Sequence, residues 1–248
     1  MRVKIIAIAN HKGGVGKTAS VAAIGAILAN QGKHVLLVDL DTQANLTMHF
    51  MQQIPARIVY HAIRERQNLP IYPVRQNLDI VPSGLDMAGI EVEMTMMRRR
   101  EDVIKELLEP IRNNYDYILL DCPPSLGLIT MNAISASNKL VVPMIADLMS
   151  SYGLSMMERF CADLQDLNPG IHVDAIFFTK YASGENMTAV VEEDVRNKYG
   201  DRVLKHVVHK NVAVAEAAFQ YTDVVTYKPD CTGAKDYIEV TNELLEML

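Results

Sequence analysis

The chain has 248 residues, 49% of them hydrophobic and 22% charged, which is enough for one α/β domain with a large core and excludes a disordered chain. The net charge of −6 argues against a general nucleic-acid coat protein, while leaving room for a local basic face. No apolar run approaches the roughly 18 residues of a membrane span, the N-terminus lacks signal-peptide anatomy, and Cys122, Cys161 and Cys231 form no disulfide framework or metal spacing, so a cytoplasmic protein is expected.

Val3 to Ala9 is a continuous β-branched run, the pattern of a central parallel strand buried on both faces. A glycine-rich turn follows, Asn10-His11-Lys12-Gly13-Gly14-Val15-Gly16-Lys17-Thr18. Its glycines let successive N–H groups curl inward around an anion, and the helix opening near Lys17 adds its positive dipole end. Lys17 can reach the β/γ-phosphates of a nucleotide, and the Thr18 hydroxyl can bind Mg²⁺. The standard phosphate-loop pattern wants glycine at position 11, where this chain has His11, and an extra lysine, Lys12, precedes the glycines.

Thr18 to Asn30 reads as an Ala-rich helix stopped at Gly32, and His34 to Leu40 as the next strand, ending in Asp39-Leu40-Asp41. Pro55 to Gln67 is expected to be helical and Leu69 to Pro73 a loop. Leu78 to Val81 is a short strand; Leu85 to Met97 and Arg98 to Asn113 read as two helices. Tyr115 to Leu120 is a strong strand ending in Asp121-Cys122-Pro123-Pro124-Ser125. Then come a helix at Leu128 to Ala136, a strand at Lys139 to Pro143, a helix at Tyr152 to Leu167 and a strand at Val173 to Phe178. Asn186 to Tyr199 is helical, Val203 to Val208 an edge strand, Val212 to Phe219 a short helix and Gly233 to Leu248 a terminal helix. Strands alternating with helices predict right-handed crossovers and one α/β domain over 1–248, a mostly parallel twisted sheet with helices on both faces. Ligands in such a sheet bind at the carboxyl ends of its strands, where the glycine turn, Asp39/Asp41 and Asp121 all fall. A carboxylate beside a phosphate cradle is the expected Mg²⁺ partner, and Asp39 and Asp41, two apart on an extended strand, are expected on one face.

Three ordered motifs carry a resemblance: Lys12 to Thr18; Val38-Asp39-Leu40-Asp41-x-Gln43-x-Asn45-x-Thr47; and Tyr115-Asp116-Tyr117 through Asp121-Cys122-Pro123-Pro124-Ser125-Leu126-Gly127. Together they resemble the deviant Walker-A ATPases of the ParA/Soj/MinD class, and among them the plasmid- and chromosome-partitioning proteins. Asn211-Val212 to Glu216-Ala217 resembles a later segment of that family. The resemblance implies the P-loop NTPase fold and a Mg²⁺-dependent ATPase cycling between ATP and ADP. It implies that Lys12, Gly13, Gly14, Val15, Gly16, Lys17, Thr18 and Ala19 contact the nucleotide, with Lys210 and Asn211 near its base. Thr18, Asp39 and Asp121 would serve the metal, Asp41 would position the attacking water, and Lys12 would reach the partner subunit's phosphates in an ATP-dependent homodimer. The implied partners are a ParB-like adaptor and DNA, weakly and non-specifically, with association to the nucleoid and not to membrane.

The chain departs from the family pattern in three places. Thr42 stands where proline usually follows the second aspartate, Met144-Ile145-Ala146-Asp147 replaces a Gln-x-Glu segment, and His209-Lys210 replaces Pro-Arg before Asn211. The best basic cluster is Arg196, Lys198, Arg202, Lys205, His206, His209 and Lys210, interleaved with Glu192, Glu193, Asp194 and Asp201. A MinD-like membrane switch is the first alternative; it needs a basic amphipathic C-terminus, whereas Asp236, Glu239, Glu243 and Glu246 oppose Lys235 alone in the last helix. An iron–sulfur relative would need paired cysteines beyond Cys122. A nucleotide-binding scaffold with little turnover is the remaining alternative.

Overall fold

The computed structural model describes residues 3–248. Seven strands form one sheet in the order β3-β4-β2-β5-β1-β6-β7. Strand β1 (Lys4–Ile8) lies between β5 (Tyr117–Asp121) and β6 (Lys139–Met144), both parallel to it. Strand β2 (Val35–Asp39) pairs with β5 on one side and β4 (Leu78–Val81) on the other, and β7 (Ala175–Phe178) closes the far edge against β6. The chain changes winding direction at β1, so the crevice of the doubly wound sheet opens above its carboxyl end.

The core is two-sided, as the unbroken apolar strands require. One layer holds Ile6, Ile8, Leu37, Leu119 and Phe177 against α1 (Lys17–Asn30) and α11 (Thr232–Met247). The other holds Ala7, Leu36, Ile118, Leu120 and Val142 against helices that include α6 (Leu128–Ala136), α7 (Leu148–Asp163) and α8 (Asn186–Tyr199). Helix α1 sits close on the sheet because its inner residues are small. A Cβ added at Gly25 would lie 2.6 Å from Leu37 Cδ2.

Several elements differ from the sequence reading. The 69–73 segment is not wholly loop: β3 (Tyr72–Arg75) is an antiparallel edge strand, and Pro73 is tolerated there because an edge strand leaves one row of N–H groups unused. A short helix α2 (Asn45–Phe50) follows the aspartate turn, and only Val59–Glu65 (α3) of the 55–67 segment is helical. Leu85–Gly89 is a 3₁₀ turn leading into α4 (Ile90–Thr95), and α5 covers Val103–Leu108 rather than the whole of 98–113. The expected edge strand at Val203 to Val208 shrinks to a single bridge from Val203 to Ile176. Leu204 and Val208 N–H still donate to Ile176 O and Phe178 O of β7, both at 2.8 Å, but the N–H groups between them, Lys205 at 2.8 Å and His206 at 3.0 Å, donate to the carboxylate of Glu243 on α11. Helix α9 (Val212–Phe219) is as expected, and a further turn, α10 (Val224–Tyr227), follows it.

Candidate functional site

Between β1 and α1 the backbone bends through Gly14 (φ 74°) and Gly16 (φ 84°), a left-handed region that favours glycine. Gly16 occupies the N-cap of α1 with no side-chain cap and no acidic residue in the first turn, so that helix's first N–H groups stay available to a ligand. The loop start is anchored: Asn10 Nδ2 donates to Pro143 O at 2.9 Å, and its Oδ1 accepts from Lys12 N–H at 3.0 Å. His11 does not disrupt the loop, because its ring seats where Gly153 of α7 lacks a side chain. A Cβ at Gly153 would lie 2.5 Å from His11 Cε1.

Lys17 is buried, and its Nζ folds back on Lys12 O at 3.1 Å. Burial pulls its ammonium below the ordinary value, against the attraction of Asp121. Asp39 and Asp121 sit side by side at the ends of β2 and β5, in register and fully buried. They differ in one decisive respect. Asp39 spends both oxygens inside the protein, accepting from Asp41 N–H at 3.1 Å, Thr47 N–H at 2.8 Å and Thr47 Oγ1 at 2.7 Å. Neither oxygen of Asp121 has a hydrogen-bond partner among the described residues. Burial, then the neighbouring Asp39, push the Asp121 carboxyl well above the usual range, with Thr18 and Lys17 opposing. A buried carboxylate without a partner is costly, and a cation beside it removes that cost.

Asp41 lies beyond the strand end, where its Oδ1 accepts from Gln43 N–H at 3.0 Å. The two aspartates thus separate in depth: Asp41 lines the open cleft, and Asp39 lies behind it fastening α2. That cleft, about 850 Å³, is lined by Gly13, Gly14, Gly16, Lys17, Thr18 and Ala19 on one side and by Lys210, Asn211 and α9 on the other. The sequence-predicted contacts therefore converge, with two exceptions. Val15 is wholly buried and offers only backbone, and the Lys12 side chain pairs with Asp147 at the start of α7. The Gly-loop cradle, the open α1 terminus and the unpartnered Asp121 fit a polyphosphate with a divalent cation.

Sequence reasoning missed Thr47, Thr179, Lys180 and Tyr237 as members of the site. Thr47 Oγ1 ties Asp39 to Ser83 N–H, 2.8 Å away, linking the ends of β2 and β4. Tyr237, on α11, meets Ser20 of α1 at 3.2 Å behind the cleft. Thr179 and Lys180 follow β7, and their position at a strand carboxyl end was the available signal.

The basic cluster is largely self-neutralised. Arg196 pairs with Glu192, Arg202 with Glu158, His206 with Glu243 and His209 with Asp236. The last two partners belong to the acidic face of α11, which therefore packs onto the 205–209 segment. No helix among the described residues is long and apolar enough to cross a membrane.

A mostly parallel sheet with a glycine cradle between β1 and α1, and aspartates at the ends of the neighbouring β2 and β5, defines a P-loop NTPase. A family model described as an AAA domain matches residues 3–173. The sporulation initiation inhibitor protein Soj of Bacillus subtilis is 36% identical over 97% of this chain and 98% of its own. The chromosome partitioning protein ParA of Caulobacter vibrioides is 32% identical over 98% and 94%. Among solved structures, a putative plasmid partition protein from Borrelia burgdorferi bound to AMPPNP superposes with a TM-score of 0.88 at 25% identity, covering 99% of this chain and 100% of that one. Cobyrinic acid a,c-diamide synthase from Mycobacterium smegmatis, with an ATP analogue and magnesium, gives 0.84 at 29% identity, covering 98% and 95%. The chain belongs to this AAA-domain family, in its Soj/ParA partitioning branch.

Proposed function

We propose that this protein is a Mg²⁺-dependent ATPase that acts as a dimerising switch in chromosome or plasmid partitioning. The observation that carries the reading is Asp121, a fully buried carboxylate with two unpartnered oxygens beside Lys17, Thr18 and an open helix terminus. ATP would lie along the cleft, its phosphates on the N–H groups of Gly13 to Ala19 and its base toward Lys210, Asn211 and α9. Thr18 and Asp121 would hold Mg²⁺, with Asp39 behind them orienting the strand end. Magnesium bound there supplies positive charge at the phosphates as negative charge builds on them.

The chain's own groups do the rest. Lys17 neutralises the equatorial oxygens once it leaves the Lys12 carbonyl. Asp41 uses the oxygen left free by Gln43 to align a water for in-line attack. Lys12, released from Asp147, adds its charge to the phosphates of a second subunit, so that hydrolysis requires dimerisation. DNA and a ParB-like adaptor are the partners this switch would report to, as the Soj and ParA relatives suggest. The test is phosphate release with and without DNA, together with size-exclusion of wild type and Asp41→Ala in ATP and in ADP. The expected result is slow turnover in wild type and an ATP-trapped Asp41→Ala dimer. A wild type that binds ATP without releasing phosphate leaves only a nucleotide-binding scaffold, and an Asp41→Ala protein that stays monomeric in ATP removes Asp41 from its role.

A further inference from the structure

The phosphate loop is held from outside by two consecutive residues that no sequence motif marks. After β7, the Thr179 hydroxyl donates to Val15 O at 2.7 Å, and Lys180 Nζ donates to Gly14 O at 2.7 Å. Both residues line the cleft. Their own backbone is pinned on either side. Thr179 N–H donates to Met144 O at 2.7 Å, Tyr181 N–H donates to Val208 O at 2.9 Å, and Lys210 N–H donates to Tyr181 O at 3.2 Å. Lys180 takes a left-handed conformation, φ 48°, uncommon for a lysine, so the surrounding bonds dictate its direction.

In a planar trans peptide the C=O and N–H point opposite ways. Fixing the Gly14 carbonyl outward therefore turns Val15 N–H inward, and fixing the Val15 carbonyl does the same for Gly16 N–H. These are two of the donors that an anion nest needs. Lys180 also brings an ammonium to the rim of a cradle that already holds Lys17. Its side chain is exposed, and of its three N–H donors only one is used on the Gly14 carbonyl, so the others can meet a phosphate oxygen with little desolvation while the carbonyl stays held.

We propose that Lys180 is a positioning residue for the phosphate loop and an additional cation, beside Lys17, for the nucleotide's polyphosphate, with Thr179 as its partner in orienting the loop. This rests on the ATP-binding reading above. The contribution scales with phosphate charge, so it weighs most for ATP, less for ADP and least for AMP.

The experiment is calorimetric titration of wild type, Lys180→Met and Lys180→Arg with ATP, ADP and AMP in Mg²⁺, alongside melting of the nucleotide-free proteins. Lys180→Met is expected to weaken ATP about ten-fold, which corresponds to about 1.4 kcal/mol, and AMP hardly at all. Lys180→Arg is expected to restore most of the loss, and the nucleotide-free melting temperatures to agree. Equal ATP affinity in wild type and Lys180→Met overturns this inference and leaves the ATPase reading intact. A uniform loss across ATP, ADP and AMP makes Lys180 a structural prop only and likewise overturns it. A wild type that binds no ATP overturns the ATPase reading itself, and this inference with it.

Discussion

Lys12 and Asp147 form an ion pair within one chain, joining the first turn of the phosphate loop to the N-cap of α7. The carboxylate also accepts from Met149 N–H at 3.1 Å and Ser150 Oγ at 2.9 Å. Partial burial opposes its ionisation, but the hydrogen bonds from Lys12 and Ser150 hold it below the usual carboxylate range. In the dimer proposed above, Lys12 must first leave this partner. Asp147→Asn keeps a good helix cap and removes the charge. Half-exposed pairs of this kind are worth about 0.2–1 kcal/mol each, and a symmetric dimer breaks two. The ATP-dependent dimer of Asp147→Asn should therefore be about 2- to 30-fold tighter, as read by sedimentation or light scattering. An unchanged dimerisation constant would separate the pair from the switch. Lys12→Ala, in contrast, should lower phosphate release with milder loss of ATP binding.

Acid–base linkage follows from Asp39. Burial pushes its carboxyl up to about 7, against the hydrogen bonds from Thr47 and Asp41. A carboxyl raised on folding contributes stability that is fully present below its unfolded pKa of about 3.9 and is lost as pH rises through the folded value. Nucleotide-free, Mg²⁺-free protein should thus melt lower at pH 8 than at pH 5, by roughly several degrees. Calorimetry or circular dichroism across that range checks it; a melting point that rises steadily to pH 8 would contradict the assignment.

A second fastening is testable by coupling. Glu91 of α4 reaches across to α6, where its Oε1 accepts from Ile129 N–H at 3.0 Å. This serves a helix whose N-cap, Gly127, has no side chain to do so. A Cβ at Gly127 would lie 2.3 Å from that same oxygen. Gly127→Ala and Glu91→Ala should each cost about 1 kcal/mol, the value of a lost cap. The double variant should cost little more than either alone, because both remove one contact. Additive losses in denaturant titrations would show that the two act separately.

DNA affinity should be modest. Within the basic cluster, no carboxylate pairs with Lys198, Lys205 or Lys210 among the described residues; Lys198 Nζ donates to Ser155 Oγ at 2.9 Å, which leaves Lys205 and Lys210 without a side-chain partner there. At about −0.9 per phosphate contact, they account for a log–log salt slope of about −2 per subunit. Lys205→Ala with Lys210→Ala should flatten the slope by that amount in ATP. A steep slope that survives the double change would place the DNA elsewhere on the molecule.

The sheet was legible because its buried strands are unbroken apolar runs with chemistry at their carboxyl ends. Gly13, Gly14, Gly16, Lys17, Thr18, Asp41, Lys210 and Asn211 line one cleft, although they come from distant parts of the chain. The short elements were not legible. α2 is set by Thr47 binding Asp39, and in the 205–209 segment Glu243 takes the N–H groups of Lys205 and His206 and Asp236 that of His209, long-range bonds without local periodicity. The different fates of Asp39 and Asp121 were also invisible, because strand ends read alike until the neighbouring side chains are in place. Lys180 escaped for a related reason: a single lysine after a strand carries no pattern.

Asp121 marks a trade-off between durability and use. The fold loses by its charge, since no described residue bonds to either oxygen and burial outweighs the attraction of Lys17. Asparagine at 121 should therefore raise the melting temperature of the nucleotide-free protein while abolishing Mg²⁺-dependent turnover. Position 121 is thus a place where the chain forgoes stability that a neutral side chain would supply, and carries the deficit until a ligand arrives.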